Sequence, residues 1–225
     1  MSKNETRNAP SHDPVDRDLD AGNILFGGSP ALIVVDMSNG FTSSESPLGG
    51  EFTTEIQQAA RLCEVFQQQN RPVFYSAVVY DLDTEPDKAK VFRQRLPDLN
   101  ILKKGSKWCE IDQRLASFVS NNTNHHVIYK QWPSAFFDTA LLAFLQLHHV
   151  DSLVVCGLTT SGCVRATVID GLQNDFPVWV ASDACGDRNN SAHEANLHDM
   201  NAKYAEVKTT KQIISELLSS DLQNS

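Results

Sequence analysis

The chain has 225 residues, 41% of them apolar and 21% charged, which suits one ordinary globular domain with a substantial core. Its formal net charge of −9 argues against nucleic acid or an anionic membrane as a partner, since either needs a basic surface. No apolar run approaches the roughly 20 residues needed to span a bilayer, and the polar N-terminus does not read as a signal peptide.

Residues 1–22 are rich in Asn, Asp, Ser and Arg without apolar periodicity, and read as a flexible arm ahead of a single domain over 23–225. Ala31 to Val35 is an apolar first strand with Asp36 at its C-terminal end. A turn-rich loop, Ser38 to Gly50, leads to a helix over about Thr53 to Gln69 with Ile56, Ala60, Cys63 and Phe66 on one face. Val73 to Val79 is the second strand. The charged, Pro-containing segment Asp81 to Ser106 is long and irregular, as functional lids or subunit contacts tend to be.

A short helix around Ile111 to Val119 precedes the third strand, His126 to Tyr129, with Lys130 at its end. The loop Ser134 to Phe137 runs into a helix over about Asp138 to His148. Leu153 to Cys156 is short, apolar and β-branched, as a strand covered on both faces should be, and Gly157 is expected to end it. After a polar turn, Val164, Val168 and Leu172 recur every four positions and mark one face of a helix, which places Cys163 in its first turn. Pro177 opens a fifth strand, Val178 to Ala181, followed by a loop from Ser182 to Asn190 and a helix from Ser191 to about Tyr204. Glu206 to Lys208 is a sixth strand, and a helix over Ile213 to Leu218 closes the chain. Strands alternating with helices imply an α/β fold with a parallel sheet wrapped on both faces.

In open parallel sheets, ligands bind beyond the carboxyl ends of the strands. Asp36, Lys130 and Cys163 each fall at or just after the end of a different strand, and Asp187 and Arg188 follow the fifth. Each has an ordinary reading when taken alone. Asp36 is a turn cap, Lys130 a solvated strand end, Cys163 a small core residue and Arg188 a surface ion-pair partner. Together they bring a carboxylate, an ammonium and a thiol to one edge. A thiol in the first turn of a helix lies near free N–H groups and the positive end of the dipole, which favour the reactive thiolate. The five cysteines are odd in number and contain no CxxC pair, so reduced thiols in a cytoplasmic protein are expected in place of a disulfide framework.

These residues resemble the isochorismatase-like cysteine hydrolases, within them the N-carbamoylsarcosine amidase and maleamate amidase branch. The matching stretches are Ala31 to Met37, Gly105 to Asp112, Tyr129-Lys130 with Ser134 to Phe137, Gly157 to Thr167, and Gly186-Asp187-Arg188. The resemblance implies a three-layer α/β/α fold on a six-stranded parallel sheet, with Asp36, Lys130 and Cys163 as catalytic residues. It also implies a cis peptide at Leu158-Thr159, and an oxyanion hole made of the backbone N–H groups of Thr159 and Cys163. Arg188 and Thr160 would hold a substrate carboxylate. Nicotinamidases carry an Asp-x-His that binds a metal, whereas Val79 to Thr84 here holds no histidine, so neither metal nor other cofactor is expected. Because relatives are dimers or tetramers, a homodimer or homotetramer is expected.

The implied activity is hydrolysis of a linear amide or ureido C–N bond in a small carboxylate-bearing substrate, through a thioester and with release of ammonia. Two alternatives stand beside it: a biuret or other ureido amidase acting on a neutral substrate, and a non-catalytic redox protein that uses Cys163 as an exposed thiol. Asn39, Phe41, Trp108, Trp132 and Phe137 are candidates for the pocket walls, although such aromatics are more often core.

Overall fold

The computed structural model describes residues 18, 20–120 and 123–223. The expected arm over 1–22 lies almost wholly outside these; residues 20–23 are exposed. Six strands form one parallel sheet: β1 (Pro30–Val35), β2 (Val73–Val78), β3 (His125–Lys130), β4 (Ser152–Leu158), β5 (Val178–Gly186) and β6 (Glu206–Lys208). Their order is β3-β2-β1-β4-β5-β6. The chain winds outward from β1 in one direction and then from β4 in the other, so the order reverses between these two neighbours. That reversal opens a crevice at the C-terminal edge.

The helices are α1 (Asn39–Thr42), α2 (Thr53–Gln68), α3 (Lys90–Arg95), α4 (Gln113–Ser120), α5 (Leu141–Leu147), α6 (Arg165–Gln173), α7 (Asn190–Lys203) and α8 (Thr210–Gln223). Successive strand residues point to opposite faces of the sheet, and β2 shows the consequence. Phe74 meets Phe144 of α5 at a ring separation of 6.3 Å, while Tyr75 donates to Cys63 of α2 on the other side. α2, α4 and α8 pack together on that second face, and α6 packs beside α7 across the sheet from them. β1, β2 and β4 are buried at every position, which explains why they read as continuous apolar runs.

Several expectations need correcting. The buried face of α2 is Ile56, Ala59, Leu62, Cys63 and Phe66, and Ala60 sits half-buried at its margin. The helix expected from Asp138 begins only at Leu141. Gly157 does not end β4, which continues to Leu158. At φ +124° Gly157 lets the backbone of β1 come so close that a Cβ would fall 2.0 Å from the Val35 carbonyl oxygen. β5 does not stop at Ala181 but runs to Gly186, through what reads in sequence as a loop.

Candidate active site

Three strand ends deliver the site. Asp36, the residue after β1, is buried in the left-handed region at φ 49°, a conformation Asp adopts more readily than most residues. Its N–H is held by the Ser76 carbonyl at 3.2 Å and the Ser76 hydroxyl oxygen at 3.1 Å. The same hydroxyl donates to Asp36 Oδ1 at 2.7 Å. The second carboxylate oxygen, Oδ2, lies 2.7 Å from Lys130 Nζ.

Lys130 ends β3 with no solvent exposure. Its ammonium donates to the carbonyls of Trp132 at 3.0 Å and Pro133 at 2.8 Å, which aim it while it pairs with the Asp36 carboxylate. Burial alone would push its proton off, but the Asp36 carboxylate and Cys163 outweigh that and the ammonium is held more firmly than usual.

Cys163 is buried, 8% exposed, and its thiol interacts with both Asp36 and Lys130. The structure corrects its setting. Cys163 lies not in the first turn of an α-helix but in a π-helical turn, Thr160–Val164, from which α6 departs at Arg165. Burial raises the thiol; Lys130 draws it down and Asp36 pushes it up again, leaving it at about 12. Burial therefore opposes the pull toward the thiolate, and the chemistry calls for a neighbouring group able to take the proton. Asp36 is the neighbouring group of the right kind. The peptide between Leu158 and Thr159 is cis. Thr167 Oγ1 donates to the Cys163 carbonyl at 2.8 Å and accepts from the Ala135 N–H at 3.0 Å, tying the cysteine's turn to the Ser134–Phe137 loop.

The remaining sequence candidates are placed as follows. Thr160 is fully buried, with Oγ1 2.8 Å from Nδ1 of His193 on α7, so it stands behind the turn in place of an open wall. Arg188 is exposed and spends one of its five N–H groups on the Leu48 carbonyl, 2.5 Å away. Asn39 donates to the Lys107 carbonyl at 3.0 Å and takes part in joining α1 to the Lys107–Cys109 turn, beside which Phe41 is buried and Trp108 half-buried. Trp132 meets the exposed Phe137 edge-on at 5.1 Å, and Lys88, paired with Asp138 at 2.9 Å, lies 5.3 Å over the Trp132 ring. Thus the segment expected to be a lid reaches the loop that follows Lys130.

Residues the sequence did not assign also belong to the site. Ser76 supplies Asp36 with its hydroxyl hydrogen bond; its signal was a hydroxyl within the apolar run Val73–Val78, where a buried polar group requires a partner. Asp187, which the sequence brings to this edge without a role, accepts from Ser161, and His193 engages Thr160; neither tie has any local trace, since 26 and 33 residues separate the partners. Among the described residues no group of three or more His, Cys, Asp or Glu side chains is arranged to hold a metal ion. Nor is any helix among them long and apolar enough to cross a membrane.

Comparison with known proteins fits this geometry. The isochorismatase domain matches residues 30–212. The chain is 32% identical over 198 residues to maleamate amidohydrolase of Pseudomonas putida, covering 86% of this chain and 89% of that one. It is 31% identical over 198 residues to N-carbamoylsarcosine amidase of an Arthrobacter species, covering 86% and 73% respectively. In fold it superposes on a cysteine hydrolase from Pseudomonas syringae with a TM-score of 0.79 at 23% identity, over 88% of this chain and 97% of that one. It superposes on N-carbamoylsarcosine amidase from Thermoplasma acidophilum with a TM-score of 0.66 at 25% identity, over 81% and 96%. The chain belongs to the isochorismatase family, and is a hydrolase of that family.

Proposed function

We propose that the protein is a cysteine-dependent amidohydrolase that cleaves a linear amide or ureido C–N bond in a small carboxylate-bearing substrate and releases ammonia. The observation that carries this reading is the contact of one buried thiol with both a carboxylate and an ammonium, the Asp36–Lys130 pair being 2.7 Å apart. The similarity to maleamate amidohydrolase and N-carbamoylsarcosine amidase supports the substrate class.

In this mechanism Asp36 takes the Cys163 proton as the sulfur attacks the substrate carbonyl, forming the C–S bond. Lys130 holds the carboxylate in line and offsets the negative charge around the sulfur. The backbone N–H groups of Thr159 and Cys163 receive the tetrahedral oxyanion, where one donor typically contributes about 3–4 kcal/mol. Asp36 returns the proton to the departing nitrogen, ammonia leaves, and a thioester remains. Water, losing a proton to the same carboxylate, attacks the thioester; the C–S bond breaks, Asp36 returns that proton to the departing sulfur, and the product acid leaves. Arg188 lies on the segment after β5 and pairs with the substrate carboxylate through its remaining N–H groups.

The test is ammonia release from a panel of maleamate, N-carbamoylsarcosine, nicotinamide and biuret. Turnover of the acidic amides is expected, and Cys163→Ala should reduce it by about 10⁴-fold or more. Arg188→Ala should raise KM for the acidic members roughly 10- to 100-fold and leave neutral amides unchanged. Wild-type turnover in Cys163→Ala would end the thioester mechanism. Preference for nicotinamide or biuret would replace the acidic substrate with a neutral one.

A further inference from the structure

The segment joining β5 to α7 carries more than Arg188. Asp187 Oδ2 accepts from the Ser161 N–H at 2.9 Å and from the Ser161 hydroxyl at 2.6 Å, while Oδ1 accepts from the Asn189 N–H at 3.2 Å. Six residues later, His193 Nδ1 lies 2.8 Å from the buried Thr160 Oγ1. Thr160 and Ser161 are consecutive, and they stand immediately before Gly162 and Cys163. One side chain of this segment and one from the first turn of α7 thus grip the two residues leading to the sulfur.

The turn needs such support. The N–H groups of Gly162 and Val164 both converge on the Thr159 carbonyl, at 3.0 and 3.2 Å, a π-type pattern in place of a regular ladder. The gripping segment is itself secured: Asn189 caps α7 by accepting from the Ala192 N–H at 3.1 Å, and Arg188 donates to the Leu48 carbonyl. Hydrogen bonds to an ionised carboxylate are roughly twice as strong as neutral ones, which suits Asp187 to the more exposed Ser161. The His193–Thr160 bond lies at the buried residue.

We propose that Asp187 and His193 are positioning residues of the reaction. They act through Ser161 and Thr160 to hold Cys163 Sγ, and the N–H groups beside it, in register with Asp36 and Lys130, and they do not touch the substrate. This rests on the amidohydrolase reading above. Displacing a reacting group by about 1 Å costs of order 10²-fold in rate, so loosening the turn should act on the chemical step and spare binding.

The experiment compares Asp187→Ala, Asp187→Asn, Ser161→Ala, His193→Ala and His193→Gln by steady-state ammonia release, by the rate at which iodoacetamide alkylates Cys163 in the folded protein, and by the unfolding midpoint. Asp187→Ala and His193→Ala should lower kcat by roughly 10- to 100-fold with KM within about threefold of wild type. Alkylation should quicken several-fold as the turn opens. Asp187→Asn and His193→Gln restore an acceptor or donor and should recover part of kcat, and Ser161→Ala, which keeps the backbone bond, should lose less than Asp187→Ala. If Asp187→Ala does not fold, the Asn, Gln and Ser161 variants decide alone. Raised KM with unchanged kcat would make these residues substrate contacts and overturn the proposal, as would alkylation and kcat both at wild-type rates. The alkylation arm needs no substrate. A wild-type protein that releases no ammonia from any amide therefore sinks the amidase reading without deciding the role of the turn.

Discussion

β2 places two buried thiols in contrast across the sheet. On one side, Tyr75 donates to Cys63 at 3.3 Å and lies 3.2 Å from His125 Nδ1. On the other, the next residue, Ser76, donates to Asp36, which faces Lys130 and Cys163. Burial raises both thiols to about 12. Perturbation of the sulfur therefore does not separate a reactive site from a packed one; its company does. Cys63 has a phenol and an imidazole that burial keeps neutral, and no solvent exposure. Cys163 has a carboxylate to take its proton, an ammonium to meet the resulting charge, and a small opening to solvent.

The sharpest way to break this comparison is to remove one charge at a time. Asp36→Asn should lower ammonia release by about 10³- to 10⁴-fold, the usual scale of a lost general base. It should also quicken alkylation of Cys163 at pH 8, because the carboxylate pushes the thiol up while Lys130 draws it down. A variant slower in catalysis yet faster toward iodoacetamide would separate the base from the charge partner. Equal losses in both assays would mean that Asp36 only keeps the site folded. Lys130→Met should move alkylation the other way. It should also destabilise the fold by about 3–5 kcal/mol in urea unfolding, the scale for breaking a buried ion pair. On the opposite side of the sheet, Cys63→Ala should cost about 1–2 kcal/mol and leave kcat at the wild-type value. Loss of activity there would erase the distinction between the two thiols.

This contrast was partly legible in the sequence. Apolar runs ending in Asp36 and Lys130 announce both strands and the edge they reach, and Val164, Val168 and Leu172 announce α6. The periodicity does not tell a π turn from an α-helical first turn, because the residues ahead of Val164 have no apolar repeat in either case; hence the expected helix start at Cys163. The local pattern ends β5 early for a related reason. Ser182 and Asp183 interrupt its apolar run, yet the chain around β6 satisfies both: Ser182 donates to the Lys208 carbonyl at 3.2 Å, and Asp183 accepts from the Thr210 N–H at 2.7 Å. Polar residues with distant partners continue a strand that a local pattern ends. Ser161 and Asp187 escape for the same reason, being joined only once β4 and β5 lie side by side.

The smallest effect tests the shared part of the comparison, the burial. In the folded protein Cys63, Cys163 and Cys185 sit near 12, and Cys156 is also well above the ordinary value of 9.0 that an unfolded thiol takes. Below pH 9 the thiols are protonated in both states, and their contribution to stability is fully present. From pH 9 upward the unfolded chain loses these protons and the folded one keeps them, so stability falls as pH rises toward 12. Each thiol adds a slope of up to about 1.4 kcal/mol per pH unit. Urea unfolding between pH 8 and about 10.4 stays below the ordinary range of lysine. There Cys63→Ala and Cys163→Ala should flatten the fall by similar amounts, although only the second abolishes ammonia release. An unchanged slope in Cys163→Ala would mean that Lys130 prevails over burial in the folded state and the sulfur already rests as a thiolate. The proton transfer assigned to Asp36 would then have no thiol to act on.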